Sequence, residues 1–191
     1  MCIRDSSLSL LKEPVFALAV LGIFLYVGAE VCMARFLFPG LKAMGMDEAT
    51  ASKFGPALFF ALLTVGRIAG GVLLAKVKPR PAFRVSALLG AVGAGLLMTG
   101  NTSLAIVGVI LGGLGFANIW PLLFSITVEE RPERAGELSG LMCMAISGGA
   151  LVPLLMGGLV DAGLNAVSFV IPCLCFVYLF VLSLKGGKAT A

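Results

Sequence analysis

Five residues with charged, polar or aromatic side chains stand inside stretches that are otherwise apolar. Glu30 lies in the first such stretch, with Tyr26 one helical turn before it, Arg67 lies in the second, and Asn118 and Trp120 lie in the fourth. An ionisable side chain within a long apolar stretch is costly and normally faces a cavity or a partner. Amide groups and aromatic rings are typical of the few placed contacts that orient a ligand in a pocket. The sequence therefore predicts that these residues include ligand contacts.

Each of these residues also has a structural interpretation. Glu30 could bind a ligand hydroxyl, carry a proton or simply pair with a basic residue. Arg67 precedes Lys76 by nine residues, which places it roughly 13 Å inside its stretch, so we predict a structural or gating charge, with ligand contact as the alternative. Trp120 could instead belong to an interfacial aromatic belt. Arg35 follows Glu30 by five residues, does not share its helix face, and is predicted to reach the interface.

The composition indicates that the solvent of this chain is a lipid bilayer. Of 191 residues, 59% are hydrophobic and 13% are charged, and the mean hydropathy is +1.07, which leaves too little polar surface for a soluble domain. The sequence has no histidine, and its five cysteines lack the paired spacing of zinc ligands. We therefore predict no catalytic residues, no metal site and no cofactor. The net charge of +4 comes from basic residues in short connectors, which favours topology determinants over nucleic-acid binding.

Six apolar runs divide the chain, and each is close to the length that crosses the hydrocarbon core as a helix. They cover approximately residues 15–38, 54–75, 82–99, 104–128, 138–160 and 166–184. The fold class predicted is an all-α membrane protein with six transmembrane helices in one bundle. Residues 1–11 are predicted to be a non-native or cytoplasmic leader, residues 12–185 the bundle, and residues 186–191 a cytoplasmic tail. The connector at residues 40–53 has room for a short interfacial helix.

Basic residues outside the runs are distributed unequally between the two ends of this bundle. Six spans put both termini on one side, and ten lysines and arginines fall on that side, whereas Lys42 and Lys53 are the two on the other. Because lysine and arginine accumulate in cytoplasmic connectors, this asymmetry predicts that both termini are cytoplasmic.

Glycines recur at the spacing of close helix packing. Gly66 and Gly70 are four residues apart, and further glycines cluster in the fourth and fifth runs. Small residues let helices approach in a membrane, either for static packing or as the sliding surfaces of a transporter. The second and fifth runs carry glycine-rich segments at matching places in two triplets of helices, which is the form expected of inverted repeats.

Four stretches of the sequence carry a family resemblance when they are taken together. They are residues 24–30 (FLYVGAE), 66–71 (GRIAGG), 118–125 (NIWPLLFS) and 144–161 (MAISGGALVPLLMGGLVD). In this order and spacing they resemble helices seven to twelve of the fucose–galactose–glucose:proton symporter family of the major facilitator superfamily. The resemblance extends from about residue 12 to the end of the chain.

The resemblance implies a twelve-helix fold of two six-helix bundles in a bacterial inner membrane, with a sugar bound between them near the midplane. This chain corresponds to the second bundle, so we expect it to need an N-terminal half as its partner and not to transport alone. The family has glutamate or glutamine at the position of Glu30, and because glutamine cannot titrate, this favours sugar binding over proton carriage. Trp120-Pro121 stands where the family usually has Tyr-Pro, which leaves the identity of the sugar open.

The function predicted is secondary active transport of a monosaccharide such as fucose, glucose or galactose, by alternating access, with protons as the coupling ion. Sugar contacts are predicted at Glu30, Asn118, Trp120 and Tyr26, and proton coupling at Glu30. One alternative is a major facilitator exporter or organic-acid carrier, for which a basic residue such as Arg67 would serve. A non-transporting structural membrane protein is the alternative of a different class, but it would not explain polar residues inside the apolar runs.

Overall fold

Helices form the regular structure of residues 9–73 and 76–185, which are the residues that the computed structural model describes. This agrees with the apolar composition, because a helix pairs its backbone groups within one segment. In chain order the helices are α1 (Pro14–Ala43), α2 (Glu48–Ser52), α3 (Leu58–Leu73), α4 (Pro79–Leu97), α5 (Thr102–Phe116), α6 (Ile119–Glu129), α7 (Ala135–Met144), α8 (Gly148–Asp161) and α9 (Val170–Leu184). A π-helical turn (Lys53–Ala57) leads into α3, and 3-10 turns (Pro132–Arg134, Ala145–Ser147 and Val167–Phe169) precede α7, α8 and α9.

Among the described residues, five helical segments are long and apolar enough to cross a membrane. They are Pro14–Ala43, Glu48–Val72, Thr102–Glu129, Pro132–Asp161 and Val167–Leu184. The third predicted run forms the 19-residue helix α4, which is not one of the five, and Arg80 and Arg84 lie in its first two turns. The all-helical class is confirmed, and five of the six predicted crossings have the length and apolarity of a span.

The helix ends follow local sequence signals. Prolines begin α1 and α4, where the missing N–H of the first turn costs nothing. The side chain of Asn101 caps α5 by accepting hydrogen bonds from the backbone N–H groups of Ser103 and Leu104, at 3.0 and 3.1 Å.

A short helix occupies the connector in which the sequence allowed one. Asp47 caps this helix, α2, by accepting a hydrogen bond of 3.0 Å from the backbone N–H of Thr50. The hydrogen bonds from Thr50, through its side chain first and its backbone second, lower the pKa of Asp47 below its ordinary value. Gly45 precedes the cap with a φ of +94°, a left-handed conformation that glycine adopts without steric cost.

Glycine contacts bring the central helices very close together. Helix α4 packs against α5 and α9, and α1 packs against α8 and α9. A Cβ atom on Gly93 of α4 would lie 2.6 Å from the backbone nitrogen of Gly112 in α5, and one on Gly115 would lie 2.5 Å from the backbone nitrogen of Gly90. The predicted packing role of the glycines in the fourth run is therefore visible in direct backbone contact.

Two of the predicted runs are not continuous helices. The fourth run is broken at Ala117 and Asn118, between α5 and α6, and the fifth is interrupted by the 3-10 turn at Ala145–Ser147, between α7 and α8. The sequence predicts both as unbroken helices. Each keeps the length of one span, but each contains a local break that was not predicted. The first break has a clear physical cause, which lies in the candidate site.

Three of the four free cysteines in the described part of the chain are buried or half-buried. Cys32 and Cys175 are buried and Cys173 is half-buried, whereas Cys143 is exposed. Cys2 lies outside the described residues.

Candidate functional site

The helix break between α5 and α6 is caused by a proline and repaired by side chains from other helices. Pro121 has no N–H and its ring conflicts with the carbonyl four residues earlier, which belongs to Ala117. Asn118 accordingly leaves the helical conformation, with φ −116° and ψ 3°. The carbonyl of Ala117 instead accepts a hydrogen bond of 3.3 Å from Nε of Arg67. The helix can therefore break inside an apolar bundle without leaving this carbonyl unsatisfied.

The preceding carbonyl is also satisfied from outside its own helix. The hydroxyl of Tyr26 in α1 donates a hydrogen bond of 3.0 Å to the carbonyl of Phe116. Tyr26 is only 1% exposed, and its ring centroid lies 6.0 Å from that of Phe116. Tyr26 thus fixes the end of α5 from the side of α1.

Glu30 and Arg67 form an ion pair that joins α1 to α3. Nη2 of Arg67 lies 3.1 Å from Oε1 and 3.3 Å from Oε2 of Glu30, and the same nitrogen is 3.4 Å from the hydroxyl of Tyr26. The Glu30 side chain is 22% exposed and that of Arg67 is 47% exposed. Arg67 therefore connects the carboxylate of α1 with the broken backbone of α5, while part of its guanidinium stays accessible.

The Gly66 and Gly70 pair on α3 forms the notch that receives the break. Nδ2 of Asn118 donates a hydrogen bond of 3.0 Å to the carbonyl of Gly66. A Cβ atom on Gly70 would lie 2.0 Å from Oδ1 of Asn118, and one on Gly66 would lie 2.6 Å from Cβ of Ala117. The glycine spacing singled out in the sequence thus brings α3 against the broken segment.

An open groove lies on one side of this break. It has a volume of about 440 Å³ and is lined by Arg67, Gly71, Asn118, Trp120 and Pro121. The volume falls within the range of about 300–1,000 Å³ that is usual for small-ligand pockets. The groove combines a guanidinium, an amide and an aromatic ring on a frame fixed by backbone hydrogen bonds.

Trp120 is the aromatic wall of the groove. Its ring stacks on Phe124, one turn later in α6, with centroids 4.9 Å apart and planes 12° apart. Within the part of the chain that the structure describes, no acceptor is hydrogen-bonded to its indole N–H. The stacked ring is thus held in one orientation and keeps a free donor.

The structure brings all five predicted residues into one connected cluster. Asn118 and Trp120 line the groove together with Arg67, and Glu30 joins it through its ion pair with Arg67. Tyr26 joins through its contact with Arg67 but is not among the groove-lining residues. The role of Pro121 was not predicted, although a proline four residues after Ala117 was the available signal.

Arg35 lies apart from this cluster. It is exposed and lines a second groove between α1 and α8, together with Asp161 and the glycines of α8. The prediction that Arg35 and Glu30 face different directions on α1 is confirmed by this separation.

Known proteins resemble this chain in both sequence and structure. Residues 5–153 match the family model of the Major Facilitator Superfamily. A glucose/galactose transporter of Brucella abortus is 30% identical over 175 residues, which cover 90% of this chain and 42% of that protein. A putative glucose/galactose transporter of Helicobacter pylori is 29% identical over 187 residues, which cover 94% of this chain and 46% of that protein.

A solved structure has the same fold. The crystal structure of the Major Facilitator Superfamily transporter FucP in the outward conformation matches with a TM-score of 0.86 at 23% identity, over 96% of this chain and 45% of FucP. This chain therefore spans less than half the length of the proteins that it matches. The family and the apolar helices together make it a multi-pass membrane protein. The chain belongs to the Major Facilitator Superfamily.

Proposed function

We propose that this chain forms one six-helix half of a twelve-helix secondary transporter that carries a monosaccharide across a membrane. In this proposal α4 also crosses the membrane, which brings the number of crossings from five to six. The six crossings form two inverted repeats of three. The names of the relatives support a sugar as the cargo, since they include two glucose/galactose transporters and a fucose:proton symporter. The coverage of 42–46% of these relatives supports a partner of similar size.

The groove beside the helix break is the observation that carries this proposal. A sugar presents an apolar face and several hydroxyl groups, each of which both donates and accepts hydrogen bonds. Trp120 offers a fixed aromatic surface and a free N–H donor, and Arg67 retains accessible guanidinium donors. The Glu30 carboxylate offers an acceptor beside Arg67. Asn118 contributes less directly, because its amide already holds α3, and we assign it to positioning the groove wall. Tyr26 has the same positioning role from the buried side.

The sides of α3 and α8 provide a surface on which the second half would pack. Val65, Ile68 and Val72 of α3 are 60–69% exposed, and Leu154 and Leu155 of α8 are 69% and 63% exposed. Helix α8 packs against α1, and α3 meets α1 through the ion pair between Arg67 and Glu30. A second bundle on this side would close the groove into a central cavity. We propose that the sugar lies in that cavity and that the two halves rock around it.

Glu30 is the group that we propose for proton coupling. A proton on its carboxylate would remove the charge that Arg67 meets, and would free Arg67 to contact a hydroxyl or the other half. The Glu30→Gln variant separates the roles, because glutamine keeps a hydrogen-bonding oxygen and cannot ionise. Loss of pH-driven accumulation with sugar exchange intact is the expected result. Unchanged pH-driven accumulation would refute proton coupling at Glu30, whereas loss of exchange as well would indicate sugar binding.

An organic acid is a less suitable cargo for this groove than a sugar. A carboxylate substrate needs a basic residue whose charge is available, but the charge of Arg67 is already met by Glu30 at 3.1 Å. Bringing a second carboxylate to this pair would leave an excess negative charge in an apolar bundle.

We further propose that this chain lies in a bacterial inner membrane. The start of α1, the start of α4, the end of α6 and the end of α9 lie on one side of the bundle, and we propose that this side faces the cytoplasm. Ion pairs connect these helix ends, between Arg131 and Glu13 at 2.6 Å and between Arg80 and Glu130. The basic connectors predicted to be cytoplasmic lie here, whereas Lys42 lies at the opposite end of α1. Lysine and arginine in short connectors favour the cytoplasmic side.

Uptake into proteoliposomes that contain the full-length protein tests this function. Radiolabelled fucose, glucose and galactose are offered with and without an inward proton gradient. We expect concentrative uptake of at least one of them with the gradient, lost in Trp120→Ala and retained in the matched control Arg35→Gln in the second groove. No uptake of any of the three sugars by well-folded protein would refute a monosaccharide carrier of this class. Uptake that does not depend on the proton gradient would support a sugar as the cargo and would refute proton coupling.

A further inference from the structure

The ends of α4 and α9 lie side by side at a distance from the sugar groove. The two helices run antiparallel, because the start of α4 meets the end of α9. Nη2 of Arg84 donates a hydrogen bond of 3.4 Å to the carbonyl of Ser183, and further along the seam a Cβ atom on Gly90 would lie 2.0 Å from the ring of Phe176. The seam between α4 and α9 therefore begins at one end of the bundle and follows both helices along their length.

Four exposed basic residues lie in or directly next to the ends of α4 and α9 at which this seam begins. This basic patch consists of Lys76, Lys78, Arg84 and Lys185. No carboxylate lies within 4.0 Å of any of the four among the residues that the structure describes. The nearby acid, Glu130, forms an ion pair with Arg80 beside Lys185 and Ser183. The patch therefore keeps a positive charge that no carboxylate of residues 9–73 or 76–185 neutralises by direct contact.

Two stripes of exposed apolar side chains continue from the patch along the seam. On α4 they are Val85, Leu88 and Val92, which are 57%, 47% and 44% exposed, and on α9 they are Leu174, Val177 and Val181, which are 59%, 44% and 45% exposed. Residues at this spacing lie on one face of a helix. The stripes thus form an apolar strip about two turns long that ends at the basic patch.

We propose that the basic patch and the apolar stripes together bind an anionic phospholipid of the surrounding bilayer. The phosphate lies at Arg84 and Lys185, and the acyl chains follow the stripes of α4 and α9. Arg84 has donors to spare for a phosphate, since a guanidinium has five N–H groups and Ser183 uses one. Basic clusters at the end of membrane helices attract anionic headgroups, and the apolar strip below them suits a lipid tail rather than a free ion. This inference rests on the membrane location of the chain and not on sugar transport.

Native mass spectrometry of the purified full-length protein tests the proposal. The probes are phosphatidylglycerol and phosphatidylcholine with the same acyl chains, added to delipidated protein. The variant R84Q/K185Q removes two charges from the patch, and K42Q/K53Q removes two charges from the opposite end as a matched control. We expect R84Q/K185Q to weaken phosphatidylglycerol binding by about 25-fold, at a factor of about five for each charge, with little change in K42Q/K53Q.

Three further measurements distinguish the outcomes. The charge-conserving variant R84K/K185R should bind phosphatidylglycerol nearly as well as the original protein, which shows that charge and not misfolding is responsible. We expect all variants to bind phosphatidylcholine only weakly. Equal loss in R84Q/K185Q and K42Q/K53Q would overturn the site, as would unchanged binding in R84Q/K185Q. Displacement of phosphatidylglycerol by inorganic phosphate alone would also overturn it, because the apolar stripes would then contribute nothing.

Discussion

Replacing Gly70 by alanine should disturb the helix break more than replacing its neighbour Gly71. A Cβ atom at Gly70 would lie 2.0 Å from Oδ1 and 2.4 Å from Cγ of Asn118, whereas one at Gly71 would meet nothing within 4 Å. Alanine raises helix propensity at both positions by about 1 kcal/mol, so this gain cancels in the comparison. Overpacking at Gly70 costs about 1–3 kcal/mol, and moving Asn118 aside breaks its hydrogen bond to Gly66. We expect Gly70→Ala to be less stable than Gly71→Ala by about 2 kcal/mol.

Thermal denaturation of the detergent-purified full-length protein measures this difference. For a full-length protein of about twice the length of this chain, about 2 kcal/mol corresponds to a Tm difference of about 2–4 °C between the two variants. The double variant Gly70→Ala/Asn118→Ala removes the colliding atoms and should recover much of the loss, which a double-mutant cycle quantifies. Equal Tm values for Gly70→Ala and Gly71→Ala would refute the notch, as would a double variant that is no more stable than Gly70→Ala.

Three further predictions concern other parts of the bundle. Gly148→Ala should destabilise the protein strongly, because its Cβ would lie 1.9 Å from the carbonyl oxygen of Phe24, whereas Gly158→Ala meets nothing within 4 Å and should not; equal Tm values would contradict this packing. Trp120→Phe should keep the stacked ring and lose the indole donor, so sugar affinity should fall by about fivefold in a binding assay, as one hydrogen bond is worth about 1 kcal/mol; unchanged affinity would exclude the N–H as a contact. The Asp47 cap stabilises α2 fully above the ordinary aspartate pKa of about 3.9 and loses this contribution as pH falls through its lowered folded pKa; amide protection factors in α2, taken relative to the intrinsic exchange rate at each pH, that do not fall at low pH would contradict it.

Sequence patterns were sufficient to predict the helices and the polar residues but not the connections between those residues. Apolar runs of span length predict the helical class because membrane helices satisfy their backbone within one segment. Glu30 and Arg67 are predicted as site residues because charged residues in apolar runs need partners. Their mutual ion pair could not be predicted, since they are separated by 37 positions in the chain and nothing in a helix pattern specifies which helices become neighbours.

The helix break shows most clearly what a search for apolar runs misses. Hydropathy treats residues 104–128 as one run because no charge interrupts them. Pro121 marks the break locally, but prolines are tolerated within membrane helices whenever other groups satisfy the freed carbonyls. Here the satisfying groups come from Tyr26 on α1 and Arg67 on α3. The sequence predicts Tyr26 as a ligand contact, because a helix pattern does not show that its hydroxyl reaches a backbone carbonyl.

Fluorescence of Trp120 tests the central claim most directly, because this chain contains one tryptophan. The measurement is a titration of the full-length protein, with Trp120 as its one remaining tryptophan, against fucose, glucose, galactose and a small organic acid. A saturable change in Trp120 emission with at least one of the sugars, and none with the acid, is the result that the account predicts. Unchanged emission with all three sugars, in protein that transports any of them, would contradict the assignment of the groove as the sugar site.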